Sequence, residues 1–368
     1  MVRVLTFVIV VSLSLIEVQA ESAREYFKYA KFSLDARDYD KALDYINKAI
    51  DVEPNYVNGI LLRAEINFSL SEFEKVIADI TRAFSLDPQA NSTMADFHLL
   101  RGSAYLKVNN PSNALKDINF SIGINPNNAQ AYYLKGLINT QNSIYFEAVE
   151  NFDQAIKLDA DVSEYYYKRA ELKKLYYKPL PGTKEYKSIM TDIQIAINLN
   201  PDDFRPYELK CDMLKLDPSY SKVDFISVMD NIIVSFPEQA NFYGERGMAR
   251  VLSDQYGAAL SDFTQAIQLD VNNEANYRNR GLCFHNMRKY QLALNDYSKS
   301  IDILIKKYQV STEDESLKRI LAQTFNMRGM TNQLNGNPDL ACDDFYKAAK
   351  LGSKSGLNNY RRSCNVYN

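Results

Sequence analysis

The sequence predicts an all-α fold, an α-solenoid of about nine helical hairpins stacked one on the next. Small residues recur with a dominant period of 34, and in eight of the nine units an Ala or Ser follows about nineteen positions later. Such a period is typical of repeat arrays, in which each module buries its apolar side against its neighbours. Only 13 Gly and 11 Pro occur among 368 residues, which favours long helices with short turns. The small markers are Ala30, Ala64, Gly102, Gly136, Ala170, Cys211, Gly247, Gly281 and Gly329.

The first twenty residues carry the pattern of a secretory signal peptide. A basic residue, Arg3, precedes an apolar run from Val4 to Ile16, and small residues follow up to Ala20. The run is short for a membrane span, although an uncleaved anchor is the alternative. We therefore expect a mature chain that starts near Glu21 and works in a periplasm, in a secretory lumen or in the medium.

The first unit shows how each hairpin is built. Residues 21–36 and 41–52 have apolar residues at helical spacing, and the polar stretch 37–40 separates them. Pro54 then closes the unit, where proline favours the start of the next helix. The small markers lie where two helices cross, because a larger side chain would push the helices apart.

The array is irregular in three places. Residues 21–201 hold about five units, and the fifth contains a loop at 178–185 with two prolines and a glycine. Residues 202–239 form a degenerate sixth unit. Residues 240–351 hold three more units, with an extended connection at 303–321, and we expect residues 352–368 to form a capping helix and tail.

Several stretches resemble the tetratricopeptide repeat family, in particular its secreted or periplasmic bacterial members. They are Ala42–Ala49–Pro54, Arg101-Gly102-Ser103-Ala104-Tyr105, Ala148–Phe152–Ala155 and Arg280-Gly281. The resemblance covers nearly all of residues 21–351. It implies a right-handed superhelix whose inner groove binds a peptide or another protein.

An Arg precedes the small marker in six units, and an Asp follows in the second helix. We predict an ion pair within each of these units and, for exposed pairs, a contribution of about 0 to 1 kcal/mol. The fourth unit replaces both partners together, with Lys135 and Asn151. The predicted pairs are Arg63–Asp79, Arg101–Asp117, Arg169–Asp192, Arg246–Asp262, Arg280–Asp296 and Arg328–Asp344.

No motif in the sequence predicts catalysis, a metal site or a cofactor. The four cysteines form no C-x-x-C pair, and no glycine-rich phosphate loop occurs. His98 and His285 are isolated, and we expect both to be surface or groove residues. Cys342 and Cys364 are candidates for a disulfide if the compartment is oxidising.

The family resemblance implies that the first helix of each unit lines the groove. The alternative is that some of the inward residues only pack between helices. The groove candidates are Phe27, Lys31, Leu61, Glu65, Leu99, Tyr133, Tyr167, Glu171, Arg278 and Asn326.

These features predict a non-enzymatic scaffold that binds a protein or peptide segment. The net charge of −3, with basic and acidic residues interspersed, argues against a nucleic-acid partner. We expect no membrane span in the mature chain and no small-molecule substrate. Two other hypotheses are a chaperone-like holdase, and an accessory protein of envelope or polysaccharide assembly that uses groove tyrosines against sugars.

Overall fold

The computed structural model describes residues 22–364. The expected signal peptide at 1–20 and the last four residues lie outside the described part. Residues 22–364 contain twenty α-helices and no strand, which confirms the all-α fold. The chain divides after Tyr165 into an N-terminal body and a C-terminal body.

The N-terminal body contains four helical hairpins and one additional short helix, α5. In each hairpin the first helix carries the small marker and packs against the second helix. The helices are α1 (Ala23–Asp35), α2 (Tyr39–Val52), α3 (Val57–Ser69), α4 (Phe73–Leu86), α5 (Pro88–Thr93), α6 (Ala95–Lys107), α7 (Pro111–Ile124), α8 (Ala129–Gln141) and α9 (Tyr145–Leu158).

The C-terminal body contains five hairpins and a final helix. Its first helix, α10, begins shortly before Tyr165. The last helix, α20, packs on both helices of the ninth hairpin and so covers its end. The helices are α10 (Ser163–Tyr177), α11 (Lys184–Leu199), α12 (Arg205–Leu216), α13 (Lys222–Ser235), α14 (Ala240–Val251), α15 (Tyr256–Leu269), α16 (Glu274–Asn286), α17 (Tyr290–Val310), α18 (Glu315–Leu334), α19 (Pro338–Lys350) and α20 (Lys354–Ser363).

The turn inside each regular hairpin depends on one left-handed residue. It lies seven positions after the small marker in seven of the units, where a positive φ reverses the chain in a tight turn. Only the ninth unit uses glycine here, so non-glycine residues carry this backbone strain in the other six. The residues are Arg37, Ser71, Asn109, Ser143, Asp254, Arg288 and Gly336.

The small markers are matched in volume to the residue they face on the second helix. A Cβ added to Gly136 would lie 2.7 Å from Phe152 Cε1, so only glycine fits beneath this ring. Gly247, Gly281 and Gly329 likewise lie against aromatic rings, those of Phe263, Tyr297 and Phe345. The corresponding marker of the second unit is Ala64, and Ile80 holds the facing position there. In these four units a glycine marker faces an aromatic ring, whereas the glycine of the third unit, Gly102, faces Ile118.

The six predicted ion pairs are confirmed. In each, the Arg donates from Nε and Nη2 to the two oxygens of its Asp. The range of about 0 to 1 kcal/mol for exposed pairs does not apply to them, because the six Asp residues are only 2% to 6% exposed. Removing one partner would leave a charge in the helix interface, which costs more than breaking a surface pair.

The irregular regions are ordinary helical hairpins with changed lengths. In the sixth unit the second helix, α13, begins two residues later after its small marker than the second helices of the regular units do. When this shift is taken into account, the buried Ile232 holds the position of the missing Ala or Ser marker. Helices α17 and α18 are extended and meet at residues 311–314. The short helix α5 accounts for the 38-residue spacing between the second and third markers. A disulfide joins Cys342 in α19 to Cys364 at the end of α20.

Candidate functional site

Several consecutive first helices contact each other directly within each body. Helix α1 contacts α3, α3 contacts α6, and α14 contacts α16. Among residues 22–364, consecutive second helices make no comparable contact. Because the row of first helices is the more closely spaced, it forms the inner side of the curve. We call the solvent-exposed surface of this row the first-helix face.

Five of the six groove candidates of the N-terminal body keep solvent-accessible surface on their first helices. Lys31 and Glu65 are exposed, whereas Phe27, Leu99 and Tyr133 are half-buried. Leu61 is 2% exposed and lies in the hydrophobic core, so it packs between helices instead of facing a partner.

Charges and rings alternate on the N-terminal part of this face. Loss of surrounding water raises the pKa of the Glu65 carboxyl, Lys31 opposes this shift, and Asp96 adds to it. The ring of Phe27 packs edge-on against Tyr56, with 5.6 Å between the centroids. The surface therefore offers both apolar contact and one charge of each sign.

Tyr133 is held by neighbouring groups. Its ring lies 5.0 Å from that of Tyr165, and its hydroxyl is 3.4 Å from a carboxylate oxygen of Glu164. The Tyr133 ring is thus held by its neighbours and is only half exposed.

In the C-terminal body, Tyr167 and Glu171 belong to a packed polar cluster. Tyr167 is 9% exposed, and its hydroxyl donates a 3.2 Å hydrogen bond to Glu171 Oε1. The Lys168 ammonium and the Arg205 guanidinium each lie 5.0 Å from the centroid of the Tyr167 ring. Lys168 also pairs with Glu171 at 2.9 Å. Tyr167 is therefore a structural centre, and Glu171 is the exposed member.

Arg278 and Asn326 have different roles. The Nη1 atom of Arg278 is buried and has no hydrogen-bond partner, and burial lowers the pKa of this guanidinium. Asn326 accepts a 2.9 Å bond from Asn359 and thereby links α18 to α20. Of the two, Arg278 is the residue with unused donor capacity.

The expectation for His98 was wrong. Its side chain is buried at 3% exposure, between the rings of Phe84 and Phe120. Nδ1 lies 3.1 Å from Asp117 Oδ1, and Nε2 lies 2.7 Å from the carbonyl oxygen of Asn91. The carbonyl belongs to α5, so the additional helix encloses this histidine in the core.

Sequence reasoning missed a row of exposed leucines in the C-terminal body. Each leucine lies five positions after the small marker of its unit. It is therefore four positions after Glu171 or its equivalent, and residues four apart lie on the same side of a helix. Its members are Leu175, Leu216, Leu252 and Leu334, at 57%, 45%, 57% and 57% exposure. The equivalent positions of the N-terminal body are all polar, namely Asp35, Ser69, Lys107 and Gln141. Comparing this position between units would have found the row in the sequence.

The described residues offer little for chemistry. In residues 22–364 no group of three or more His, Cys, Asp or Glu side chains is arranged to hold a metal ion. Burial raises the pKa values of the free thiols of Cys211 and Cys283 to about 12, so both remain protonated near neutral pH. Within the same residues, no helix is both long and apolar enough to cross a membrane.

Stacked helical hairpins with one inner face define an α-solenoid repeat protein. Tetratricopeptide repeat models match residues 23–56 and 99–163. The chain is a member of the tetratricopeptide repeat family.

Two human relatives are similar over most of the chain. The mitochondrial import receptor subunit TOM70 is 24% identical over 281 residues, covering 74% of this chain and 45% of the relative. DnaJ homolog subfamily C member 7 is 23% identical over 268 residues, covering 72% and 48%. The chain thus spans about half the length of the curated relatives it matches.

Solved structures of the same kind align over long segments. Yeast Tom70 aligns with a TM-score of 0.44 at 15% identity, over 94% of this chain and 88% of the other. A tetratricopeptide repeat protein from Parabacteroides merdae aligns with a TM-score of 0.48 at 19% identity, over 71% and 98%.

Proposed function

We propose that this protein is a non-catalytic scaffold that binds a segment of a partner protein on its first-helix face. The observation that carries the proposal is where the nine units differ. The position before the small marker is Arg in six units and Lys in two more. Three positions before the marker, where Leu61, Tyr167 and Asn326 are buried and the other six residues are half-buried, the residues are Phe, Leu, Leu, Tyr, Tyr, Glu, Gly, Arg and Asn. The structural positions repeat while this face varies, as expected if the face is specialised for recognition.

The relatives support an interaction role. One is named as an import receptor subunit and the other as a DnaJ homologue. Neither name describes chemistry carried out by the repeats. The packing of Tyr133 and Tyr167 against neighbouring groups argues against the sugar-binding alternative, because stacking on a sugar needs an open ring face.

We further propose that the protein works outside the cytoplasm. The leader pattern and the link between Cys342 and Cys364 both support this compartment, since structural disulfides persist in oxidising surroundings. Fusing residues 1–30 to a reporter enzyme that is active only after export tests this proposal. An inactive, full-length reporter retained in the cytoplasm would contradict it.

The binding proposal is tested with charge reversal on the face. Lys31→Glu and Arg278→Glu alter the first-helix face, whereas Lys157→Glu and Lys299→Glu alter exposed lysines of second helices and serve as controls. Proteins captured from an extract of the native host are quantified by mass spectrometry. We expect a captured partner to be depleted at least tenfold by the face variants and unchanged by the controls. Equal capture by all four variants would contradict binding at this face.

A further inference from the structure

We propose that the leucine row of the C-terminal body is a docking surface for an amphipathic α-helix of a partner protein. The inference rests on the proposed function and names the class of segment that is bound. The leucine row consists of Leu175, Leu216, Leu252 and Leu334, each at the C-terminal end of a first helix or just beyond it.

The row is continuous over its first three members, because their helices are neighbours. Lys174 Nζ of α10 lies 2.6 Å from Asp212 Oδ2 of α12. Lys215 of α12 lies 2.9 Å from Asp212 and 2.9 Å from Glu245 of α14. Helix α14 in turn contacts α16. These bonds bring the first three leucines to consecutive positions along one edge of the face.

The same bonds account for the charges beside the row. Lys174, Asp212, Lys215 and Glu245 neutralise one another, so these groups need no counter-charge from a partner. The leucines have no comparable cover within the described residues and keep about half of their surface in water. Apolar contact is therefore the interaction that this edge has to offer.

The spacing of the row matches a helix. Packed neighbouring helices lie roughly 8–10 Å apart. Residues seven positions apart on an α-helix are separated by about 10.5 Å. A partner helix lying across the first helices would therefore place apolar residues i, i+7 and i+14 on successive leucines.

A cavity beside Leu252 provides an anchor point. Its volume is about 180 Å³, and Leu214, Phe225, Met248 and Ala249 supply apolar walls. Charged residues line the rest, namely Lys215, Asp217, Lys222 and Glu245. A cavity of about 150 Å³ with apolar walls is large enough for a benzene ring. This space fits one large apolar side chain of the partner helix. That side chain would be three or four residues away from the partner residue that contacts Leu252. A helix supplies that second, parallel row of contacts, whereas an extended peptide supplies only one row.

The test uses peptide selection on the full chain. A library of random 20-residue peptides is selected on the immobilised protein, and binding of each selected peptide is measured by fluorescence anisotropy. One variant carries Leu175→Gln, Leu216→Gln, Leu252→Gln and Leu334→Gln. The matched control carries Val223→Gln, Val234→Gln, Val310→Gln and Leu340→Gln, which replace four apolar residues of the same body off the row, at 58% to 87% exposure.

We expect selected peptides to carry apolar residues at i, i+3 or i+4, and i+7, and to gain helical circular dichroism on binding. Binding should weaken by roughly 100-fold in the row variant and by less than about twofold in the control. Asn286 interrupts the row in the eighth unit, so Asn286→Leu should tighten binding of a peptide that reaches it by roughly fivefold.

The outcomes separate the two proposals. Selected peptides that bind the row variant normally would overturn the docking inference and leave the scaffold proposal intact. Peptides that depend on the row but bind in an extended form would overturn the helical occupant. Failure to select any peptide would count against both proposals.

Discussion

The contact between Gly136 and Phe152 gives the sharpest test of the packing. Gly136→Ala adds a Cβ that would lie 2.7 Å from Phe152 Cε1 and 2.9 Å from Cδ1, and the ring is 1% exposed. Overpacking of this kind costs about 1–3 kcal/mol. Alanine in place of a helical glycine returns about 1 kcal/mol. We expect a net loss of about 1 kcal/mol, the middle of a range of about 0–2 kcal/mol.

The sign should reverse when the ring is removed. The second unit already pairs Ala64 with Ile80, and both are fully buried. In a chain that also carries Phe152→Ile, Gly136→Ala fills space and should stabilise by about 1 kcal/mol. The double-mutant cycle should therefore show a coupling of about 2 kcal/mol.

Hydrogen exchange of α8 and α9 is the appropriate measurement, because repeat arrays open locally and a single free energy of unfolding describes them poorly. The exchange protection of the two helices is compared among the wild type, both single variants and the double variant. If Gly136→Ala has the same sign in both backgrounds, volume matching is not what selects glycine at this marker.

Three further predictions concern the ion pairs and the C-terminal end. Asp344→Asn leaves Arg328 facing a neutral group and should cost about 3 kcal/mol in exchange protection of α18 and α19. A loss below about 1 kcal/mol would show that the pair behaves as a surface pair. The disulfide joins Cys342 and Cys364, which are 22 residues apart, and its reduction should cost about 3 kcal/mol. Helix α20 should lose exchange protection first, because each repeat contacts only its neighbours. An equal loss of protection in α14 would contradict this expectation. Burial raises the pKa of the Asp117 carboxyl, but hydrogen bonds from neighbouring side chains outweigh it and leave this pKa below its ordinary value. Its contribution to stability should therefore persist at neutral pH and be lost only as the pH falls below about 4, so protection of α6 and α7 that is lost already between pH 7 and pH 5 would contradict this sign.

The sequence was sufficient for the repeat architecture because periodicity is a local property. Small residues at a period of 34 predict nine hairpins, and the structure contains nine pairs of helices in residues 22–364. The offset between each Arg and its Asp was enough to name the six ion pairs, since both positions recur in register with the small marker. These features depend only on which residues share a helix face.

Burial depended on contacts that no single repeat reveals. His98 is an ordinary helical residue in the sequence, and only the packing of α5 and Phe120 encloses it. Leu61 lies at a position that faces the groove in other units, yet it packs in the core. The leucine row emerges only when equivalent positions of different units are compared, because its members are at least 36 residues apart along the chain. Periodicity determined the helices and their pairing, whereas exposure was decided by the neighbours that folding brought to each side chain.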